Sequence, residues 1–197
     1  MRQPLTIIAR LDKRGSGIII PNMKQALIII DYQNDFVDGS LGFPGAEALE
    51  ERIISLIEKA KADGAEILFT QDTHGCDYMH TEEGRNLPVP HCLKGSEGWK
   101  IRGKLGEIAQ QSKVFEKPTF PSAELFDYLR KDEYSKIGLC GLDTSICVVA
   151  NAVMAKAAQP NAHIVFYRFA SGSGDPEAEE TAVRAMKRLH IEVVEHL

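Results

Sequence analysis

The feature that most constrains the fold is a regular alternation of short apolar runs with amphipathic stretches from residue 26 onward. Short continuous apolar runs of this kind are typical of strands buried on both faces of a sheet. The runs are 26–30 (ALIII), 65–70 (AEILFT), 113–116 (KVFE), 136–140 (KIGLC), 163–167 (HIVFY) and 191–194 (IEVV). Their alternation with helical stretches predicts one α/β domain, a three-layer α/β/α, doubly wound arrangement around a mostly parallel six-stranded sheet.

The intervening segments carry apolar or small residues at helical spacing. They are marked by Leu49, Ile53, Leu56, Ile57 and Ala60; by residues 122–131 after Pro121; by Ile146, Val149, Val153 and Ala157; and by Ala178, Ala182, Ala185, Met186 and Leu189. The polar stretch 71–98 is predicted as a long loop, and loops of that length are usually functional or disordered.

Length, charge and cysteine usage exclude several classes of protein. The 197 residues provide one substantial core, and a formal net charge of −5 favours neither nucleic acid nor an anionic membrane as a partner. The four cysteines lack a C-x-x-C pair and no secretion signal is recognisable, so we expect reduced thiols in a cytoplasm. Residues 1–22 are interpreted as an N-terminal extension (a hairpin, a tag or an upstream start) ahead of a domain at 23–197.

Chemically active side chains follow four successive strands. Asp31 follows the first strand, Asp72 and His74 follow the second, and Lys117 follows the third. The segment GLDTSIC then leads from the fourth strand to Cys147. Because ligands of open α/β sheets bind beyond the carboxyl ends of the strands, we expect these side chains to meet in one pocket.

Cys147 lies in the first turn of a predicted helix, which either Thr144 or Asp143 can cap. Free N–H groups and the helix dipole there favour a thiolate and can hold an oxyanion. Lys117 would lower the thiol pKa further, while Asp31 could accept the thiol proton and later activate water. An isolated cysteine is more often a small buried hydrophobe, but convergence with Asp31 and Lys117 favours a nucleophile.

The polar stretch adds side chains of the kinds that bind metals: Asp72, His74, His80, Glu82, Glu83 and His91. An Asp-x-His pair followed by a distant histidine suits a divalent metal such as zinc with positions left for water. The alternative is a solvated surface loop with scattered histidines, and His80 is assigned to that role.

Together these segments resemble the isochorismatase-like cysteine hydrolases, and among them the nicotinamidase-related branch. Four motifs carry the resemblance in order: IIIDYQNDF around Asp31, TQDTH closed by PHCLKG, EKPTFPSAEL with Lys117, and GLDTSICV with Cys147. The resemblance implies a cysteine amidohydrolase with a triad of Asp31, Lys117 and Cys147. Its substrate would be a small-molecule carboxamide, with nicotinamide as the first candidate, and its assembly a homo-oligomer.

The same resemblance implies further features of the site. A cis peptide bond is expected at Leu142–Asp143, and backbone N–H groups of Asp143 and Cys147 would form the oxyanion hole. A divalent metal, first Zn²⁺ and otherwise Mn²⁺ or Fe²⁺, would hold the pyridine nitrogen of nicotinamide. Its ligands would be Asp72, His74 and His91, with Glu83 as a candidate fourth.

One departure from the family concerns the wall for the substrate ring. Nicotinamidases carry a tryptophan shortly before the metal histidine, whereas LPVPHC has Pro88 and Val89. The remaining candidates for aromatic substrate contacts are Phe36, Phe120 and Tyr78. A ureido, carbamoyl or other small amide is therefore the alternative substrate.

An alternative of another class is a non-catalytic metal-binding or thiol-redox protein in which Cys140 and Cys147 pair. Such pairing depends on whether their Cα atoms come within reach across the strand-to-helix turn. A dinucleotide-dependent oxidoreductase is disfavoured, because no G-x-G-x-x-G follows any predicted strand.

Overall fold

The structure, a computed structural model, describes residues 23–196. The N-terminal extension inferred at residues 1–22 lies outside the described residues, as does the last residue of the predicted domain.

Six strands form one sheet in the order β3-β2-β1-β4-β5-β6. They are β1 (Lys24–Ile30), β2 (Glu66–Asp72), β3 (Lys113–Lys117), β4 (Tyr134–Gly141), β5 (His163–Ser171) and β6 (Glu192–Val194). Every neighbouring pair is parallel, which confirms the predicted doubly wound fold and makes the sheet wholly parallel. The strand order reverses direction at β1 and β4, the crevice where ligands bind in such sheets.

Among residues 23–196, seven α-helices connect and cover the strands. They are α1 (Asn34–Val37), α2 (Leu49–Ala62), α3 (Glu82–Asn86), α4 (Gly103–Ala109), α5 (Ala123–Leu129), α6 (Val149–Ala158) and α7 (Pro176–Arg188). A 3-10 turn spans Tyr78–His80, and a π-helical turn spans Thr144–Val148 directly before α6. Within residues 23–196, no helix has the length and apolar character needed to cross a bilayer.

Two hydrophobic cores lie on opposite faces of the sheet. Alternate residues of β1 point to each, as the twofold repeat of a strand requires. Ile28 packs with residues of α5, α6 and α7 on one face, and Leu27 packs with residues of α2 and α4 on the other. Both faces of β1 are therefore buried. Its carboxyl end, at Ile30, leads directly into the loops that carry the candidate site.

The structure corrects two expectations about helices. The sequence pattern missed α4 and the short helices α1 and α3. The predicted buried face of α6 is also wrong, because Ile146 and Val153 are 44% and 42% exposed while Ala152 and Ala155 are buried. A π-helical turn holds an extra residue relative to an α-helical turn, so it rotates the face that α6 presents to the core.

Candidate active site

The side chains predicted to converge do meet at the carboxyl edge of the sheet. Lys117 Nζ lies 2.7 Å from Asp31 Oδ2, 3.1 Å from Asp72 Oδ1 and 3.5 Å from Cys147 Sγ. The side chains of Lys117 and Asp31 are fully buried. One ammonium group therefore contacts a carboxylate on each of two neighbouring strands and the sulfur of a third segment.

Asp31 occupies a backbone position that L-residues rarely adopt, with φ of +43° at the end of β1. Thr70 on the neighbouring strand holds it there: its hydroxyl donates to Asp31 Oδ1 at 2.7 Å and accepts from Asp31 N–H at 3.3 Å. With Oδ1 bound to Thr70 and Oδ2 paired with Lys117, the carboxylate has a fixed orientation.

Cys147 lies in the π-helical turn and is 6% exposed. Asp143 caps this turn, because its Oδ1 accepts from Ser145 N–H at 2.7 Å. Thr144, the other candidate cap, instead donates both its N–H and its hydroxyl to Gly172 O. The nucleophile segment is thus attached to the loop that follows β5.

The expected cis peptide bond at Leu142–Asp143 is wrong, since every peptide bond among residues 23–196 is trans. The chain turns instead at Gly141, whose φ of +116° suits glycine. A Cβ at Gly141 would lie 2.1 Å from Ile30 O, so this close approach to β1 also requires glycine. Leu142 N–H then donates to the same Ile30 oxygen at 2.9 Å.

Burial and neighbouring charges act in opposite directions on the pKa values of Cys147, Asp31 and Lys117. Burial raises the pKa of Cys147 well above its usual value, and this outweighs the opposing effect of the Lys117 charge. Burial also raises the pKa of Asp31, with Lys117 acting in the opposite direction. Burial would lower the pKa of Lys117, but the negative charges of Asp31 and Asp72 raise it well above normal. Burial therefore favours the uncharged form of the Cys147 thiol, and the two carboxylates favour the charged form of Lys117.

Asp72, His74 and His91 present one ligand atom each, and these atoms lie within 4.8 Å of one another. His74 Nε2 is 2.8 Å and His91 Nε2 is 3.4 Å from the same oxygen, Asp72 Oδ2. His74 Nε2 is buried and has no partner of hydrogen-bonding geometry in the described part of the chain. One carboxylate oxygen and two imidazole nitrogens suit a divalent transition metal, so this cluster is a candidate metal site.

Glu83 is near enough to join this cluster, with Oε1 3.6 Å from His74 Nε2 and 3.7 Å from His91 Nε2. Its other oxygen, Oε2, is buried without a hydrogen-bond partner. Burial and the Asp72 charge raise the pKa of Glu83. Burial would also raise the pKa of Asp72, but the two nearby histidines and the Lys117 charge lower it overall. A cation would stabilise the charged form of both carboxylates.

Gln33 and Asp35, both in the motif IIIDYQNDF, position the candidate metal ligands. Gln33 is buried, accepts from Asp72 N–H at 2.7 Å and donates to Asp72 O at 2.9 Å, so it fixes the backbone of that residue. Asp35 accepts from Cys92 N–H at 2.7 Å and thereby fixes the residue after His91. The second ring nitrogen of His91, Nδ1, contacts Val89 O at 2.8 Å. Such contacts orient metal ligands.

The three candidate aromatic contacts occupy different positions. Tyr78 is buried and packs on both histidine rings, with centroid distances of 4.7 Å to His74 and 5.0 Å to His91. Phe36 packs on His91 at 5.6 Å. Phe120 follows β3 and is 41% exposed. Tyr78 and Phe36 therefore border the metal cluster, whereas Phe120 is the most accessible of the three.

The remaining tryptophan, Trp99, is half-buried and donates from Nε1 to Thr73 Oγ1 at 2.8 Å. His80 is exposed and lies outside the metal cluster, as expected. Cys140 and Cys147 are both free and belong to opposite cores of the sheet, so the paired-cysteine alternative is not observed.

Sequence reasoning missed the hydrogen bonds that Gln33, Thr70 and Asn151 make in the site. Asn151 on α6 donates from Nδ2 to Cys147 O at 2.8 Å and to Phe120 O at 3.0 Å. Gln33 stands in the motif DYQNDF and Thr70 in TQDTH, so the motifs contained both residues without revealing what they bind. Asn151 gave no motif signal. Its one distinguishing feature is a polar side chain on the face of α6 that also holds Ala152 and Ala155.

Comparison with known proteins identifies the family. The isochorismatase domain family matches residues 25–196.

This chain belongs to the isochorismatase family.

Several proteins of known sequence or structure are similar to this chain. Nicotinamidase/pyrazinamidase from Mycobacterium tuberculosis is 30% identical over 140 residues, which cover 63% of this chain and 74% of that protein. The crystal structure of nicotinamidase/pyrazinamidase PncA from Bacillus subtilis gives a TM-score of 0.77 at 33% identity, covering 88% of this chain and 100% of that one. Pyrazinamidase from Pyrococcus horikoshii in complex with zinc gives 0.76 at 28% identity, covering 88% and 99%.

Proposed function

We propose that this protein is a nicotinamidase-like amidohydrolase that cleaves a small carboxamide, nicotinamide first, through a thioester on Cys147. The class follows from its similarity to nicotinamidase/pyrazinamidase proteins in sequence and in structure. The observation that carries the mechanism is the contact of Lys117 Nζ with both Cys147 Sγ and Asp31 Oδ2. This contact brings a nucleophile, a base and a cation together in one buried site.

In the first half of the reaction, Cys147 Sγ attacks the carboxamide carbon while Asp31 accepts the thiol proton. The carbonyl electrons move onto oxygen, and backbone N–H groups of Asp143 and Cys147 hold the oxyanion. When the tetrahedral adduct collapses, the C–N bond breaks and the leaving nitrogen takes the proton from Asp31. Ammonia departs and a thioester remains on Cys147.

In the second half, Asp31 accepts a proton from water as the water oxygen attacks the thioester carbon. Collapse breaks the C–S bond, and the sulfur regains a proton from Asp31. The raised pKa of Asp31 suits this alternation, because a carboxylate with a raised pKa is a better proton acceptor. Lys117 stays charged throughout the reaction. Its positive charge stabilises the negative charge on Asp31 or on the Cys147 sulfur, whichever is ionised at that step.

The donor set of Asp72, His74 and His91, with Glu83 as candidate fourth ligand, fits a divalent metal, of which Zn²⁺ suits two imidazoles and a carboxylate best. Mn²⁺ and Fe²⁺ are the alternatives. A metal held there would supply a Lewis acid for a ring nitrogen of the substrate. Tyr78 and Phe36 keep the imidazole rings in place, and with Phe120 they are the proposed aromatic contacts of the substrate.

A second candidate substrate is a ureido, carbamoyl or other small amide without an aromatic ring. Pro88 and Val89 stand where nicotinamidases carry a ring-binding tryptophan. Trp99 donates its Nε1–H to Thr73 Oγ1 instead of lining the ring site. The same triad serves either substrate, because both offer a carbonyl carbon bonded to nitrogen. The proposed assembly remains a homo-oligomer and the proposed compartment the cytoplasm.

The test is release of ammonia from a panel of small amides that includes nicotinamide, pyrazinamide, a ureido compound and a carbamoyl compound. We expect the aromatic carboxamides to turn over fastest and Cys147→Ala to abolish release from all of them. Cys76→Ser, which changes an exposed cysteine, should keep the full rate. A Cys147→Ala protein with the wild-type rate would refute the thioester mechanism, and preference for a non-aromatic amide would assign the second substrate class.

A further inference from the structure

Asn151 is a fully buried amide whose hydrogen bonds all lead to two segments of the candidate site. Its Nδ2 donates to Cys147 O at 2.8 Å and to Phe120 O at 3.0 Å. Its Oδ1 accepts from Ser122 N–H at 3.2 Å. The Cys147 and Phe120 carbonyl oxygens are therefore held by the same nitrogen atom.

The helix alone does not require an amide at this position. Asparagine is a weaker helix former than alanine, and a buried amide is costly unless it is hydrogen-bonded. The neighbouring buried positions of α6, Ala152 and Ala155, are small and apolar, as packing against the core requires. The three bonds of Asn151 compensate its burial, and each of them lies outside the regular hydrogen bonds of α6.

The segment that Asn151 holds lies between two parts of the site. Residues 118–122 run from the end of β3, where Lys117 lies, to the cap of α5. Within it, Asn151 fixes the backbone on both sides of Pro121, at Phe120 O and Ser122 N. The Phe120 ring stays 41% exposed although its backbone is bound. An aromatic ring on a fixed backbone costs little conformational entropy when a ligand packs on it.

We propose that Asn151 is a positioning residue that couples the Cys147 turn to the Phe120 segment. By binding both carbonyl oxygens, the amide sets the distance between the attacking sulfur and the aromatic contact of the substrate. This inference rests on the proposed amide hydrolysis at Cys147 and assigns Asn151 a part in selecting substrates by their ring. Loss of the amide changes both where the substrate binds and how the sulfur meets its carbonyl carbon.

Two substitutions of Asn151 distinguish its hydrogen bond to Cys147 O from its hydrogen bond to Phe120 O. Asn151→Ala removes all three hydrogen bonds. Asn151→Thr keeps a hydroxyl that can donate to the carbonyl four residues earlier, Cys147 O, but is too short to reach Phe120 O. Ala155→Gly is the matched control, because it destabilises the same helix from a buried position and changes none of these bonds.

The first measurement is the separation of kcat from KM with nicotinamide. We expect Asn151→Thr to raise KM about tenfold with kcat within a factor of two of wild type, since about 1.4 kcal/mol of binding corresponds to tenfold. Asn151→Ala should raise KM similarly and lower kcat at least tenfold. Ala155→Gly should leave both constants within a factor of two. Equal kcat and KM in wild type and Asn151→Thr, or equal losses in Asn151→Ala and Ala155→Gly, would overturn the proposal.

The second measurement does not depend on turnover, so it separates failure of this inference from failure of the proposed function. The rate of Cys147 alkylation by iodoacetamide is followed by peptide mass spectrometry at one pH. Asn151→Thr should react within a factor of two of wild type, and Asn151→Ala at least threefold more slowly, because the sulfur loses its set position beside Lys117. An unchanged or faster rate in Asn151→Ala would show that the amide only stabilises the helix. An Asn151→Ala chain that does not fold leaves Asn151→Thr as the deciding variant through its KM.

Discussion

Lys117 and Asp31 form an ion pair of 2.7 Å between two side chains with no exposed surface. The same ammonium lies 3.1 Å from Asp72 Oδ1, so one cation serves two buried carboxylates on adjacent strands. A divalent cation bound by Asp72 and the two histidines would add positive charge beside Lys117, which would link the candidate metal site electrostatically to the nucleophile.

Replacing Lys117 tests how much this buried charge contributes to stability. Lys117→Met should lower the free energy of unfolding by about 3–5 kcal/mol, because removing one partner leaves a buried carboxylate uncompensated. Urea denaturation measures the change. Lys94→Met is the control, since Lys94 pairs with Glu116 at the surface, where a pair contributes about 1 kcal/mol or less. Equal losses in the two variants would contradict the interpretation.

Thr70 should set the acid limb of the pH profile through Asp31. In wild type, the hydrogen bond from Thr70 to Asp31 Oδ1 lowers the pKa of that carboxyl. Thr70→Val keeps the side-chain shape but removes this bond, so the pKa of Asp31 should rise. Because Asp31 must be ionised to accept a proton, activity rises with pH through its pKa. We expect the acid limb of kcat/KM to lie above the range of an ordinary aspartate in wild type and higher still in Thr70→Val. Thr181→Val, on exposed α7 surface, should not move it.

Metal binding should depend on the histidines of the cluster and not on the exposed loop histidine. His74→Ala should lose bound Zn²⁺ as measured by elemental analysis, whereas His80→Ala should retain it. Added Zn²⁺ should raise the Tm of wild type, because a ligand of the native state stabilises it by about 2.7 kcal/mol at a hundred times its Kd. If His80→Ala loses zinc and His74→Ala keeps it, the assignment of the ligands is wrong.

Alkylation should distinguish the four cysteines by whether each is modified and by whether its modification lowers activity. Cys76 is exposed, whereas Cys92, Cys140 and Cys147 are buried. Cys92 and Cys140 have no exposed surface, so we expect both to stay unmodified in the native protein. Cys147 keeps 6% of its surface exposed, and its Sγ lies 3.5 Å from the Lys117 ammonium, which stabilises the reactive thiolate. Iodoacetamide should modify Cys76 without loss of activity, and activity should fall in parallel with modification of Cys147. Loss of activity that follows Cys76 instead would contradict the nucleophile assignment.

The amino-acid sequence by itself determined the architecture and the position of the main side chains. Apolar periodicity is local, so it predicts strands and helices, and alternating strands and helices admit few arrangements. Asp31, Asp72 and Lys117 each follow a strand of a parallel sheet, whose carboxyl ends all lie at one edge. Their convergence could therefore be inferred without coordinates.

Only the tertiary structure decided how those side chains interact. The bond between Thr70 and Asp31 spans 39 residues of sequence, and that between Asn151 and Phe120 spans 31, so no local pattern reveals them. The raised pKa of the Cys147 thiol has the same origin. Local sequence indicates a helix terminus and a nearby lysine, both of which favour a thiolate, but burial is a property of the whole packed chain and favours the uncharged form.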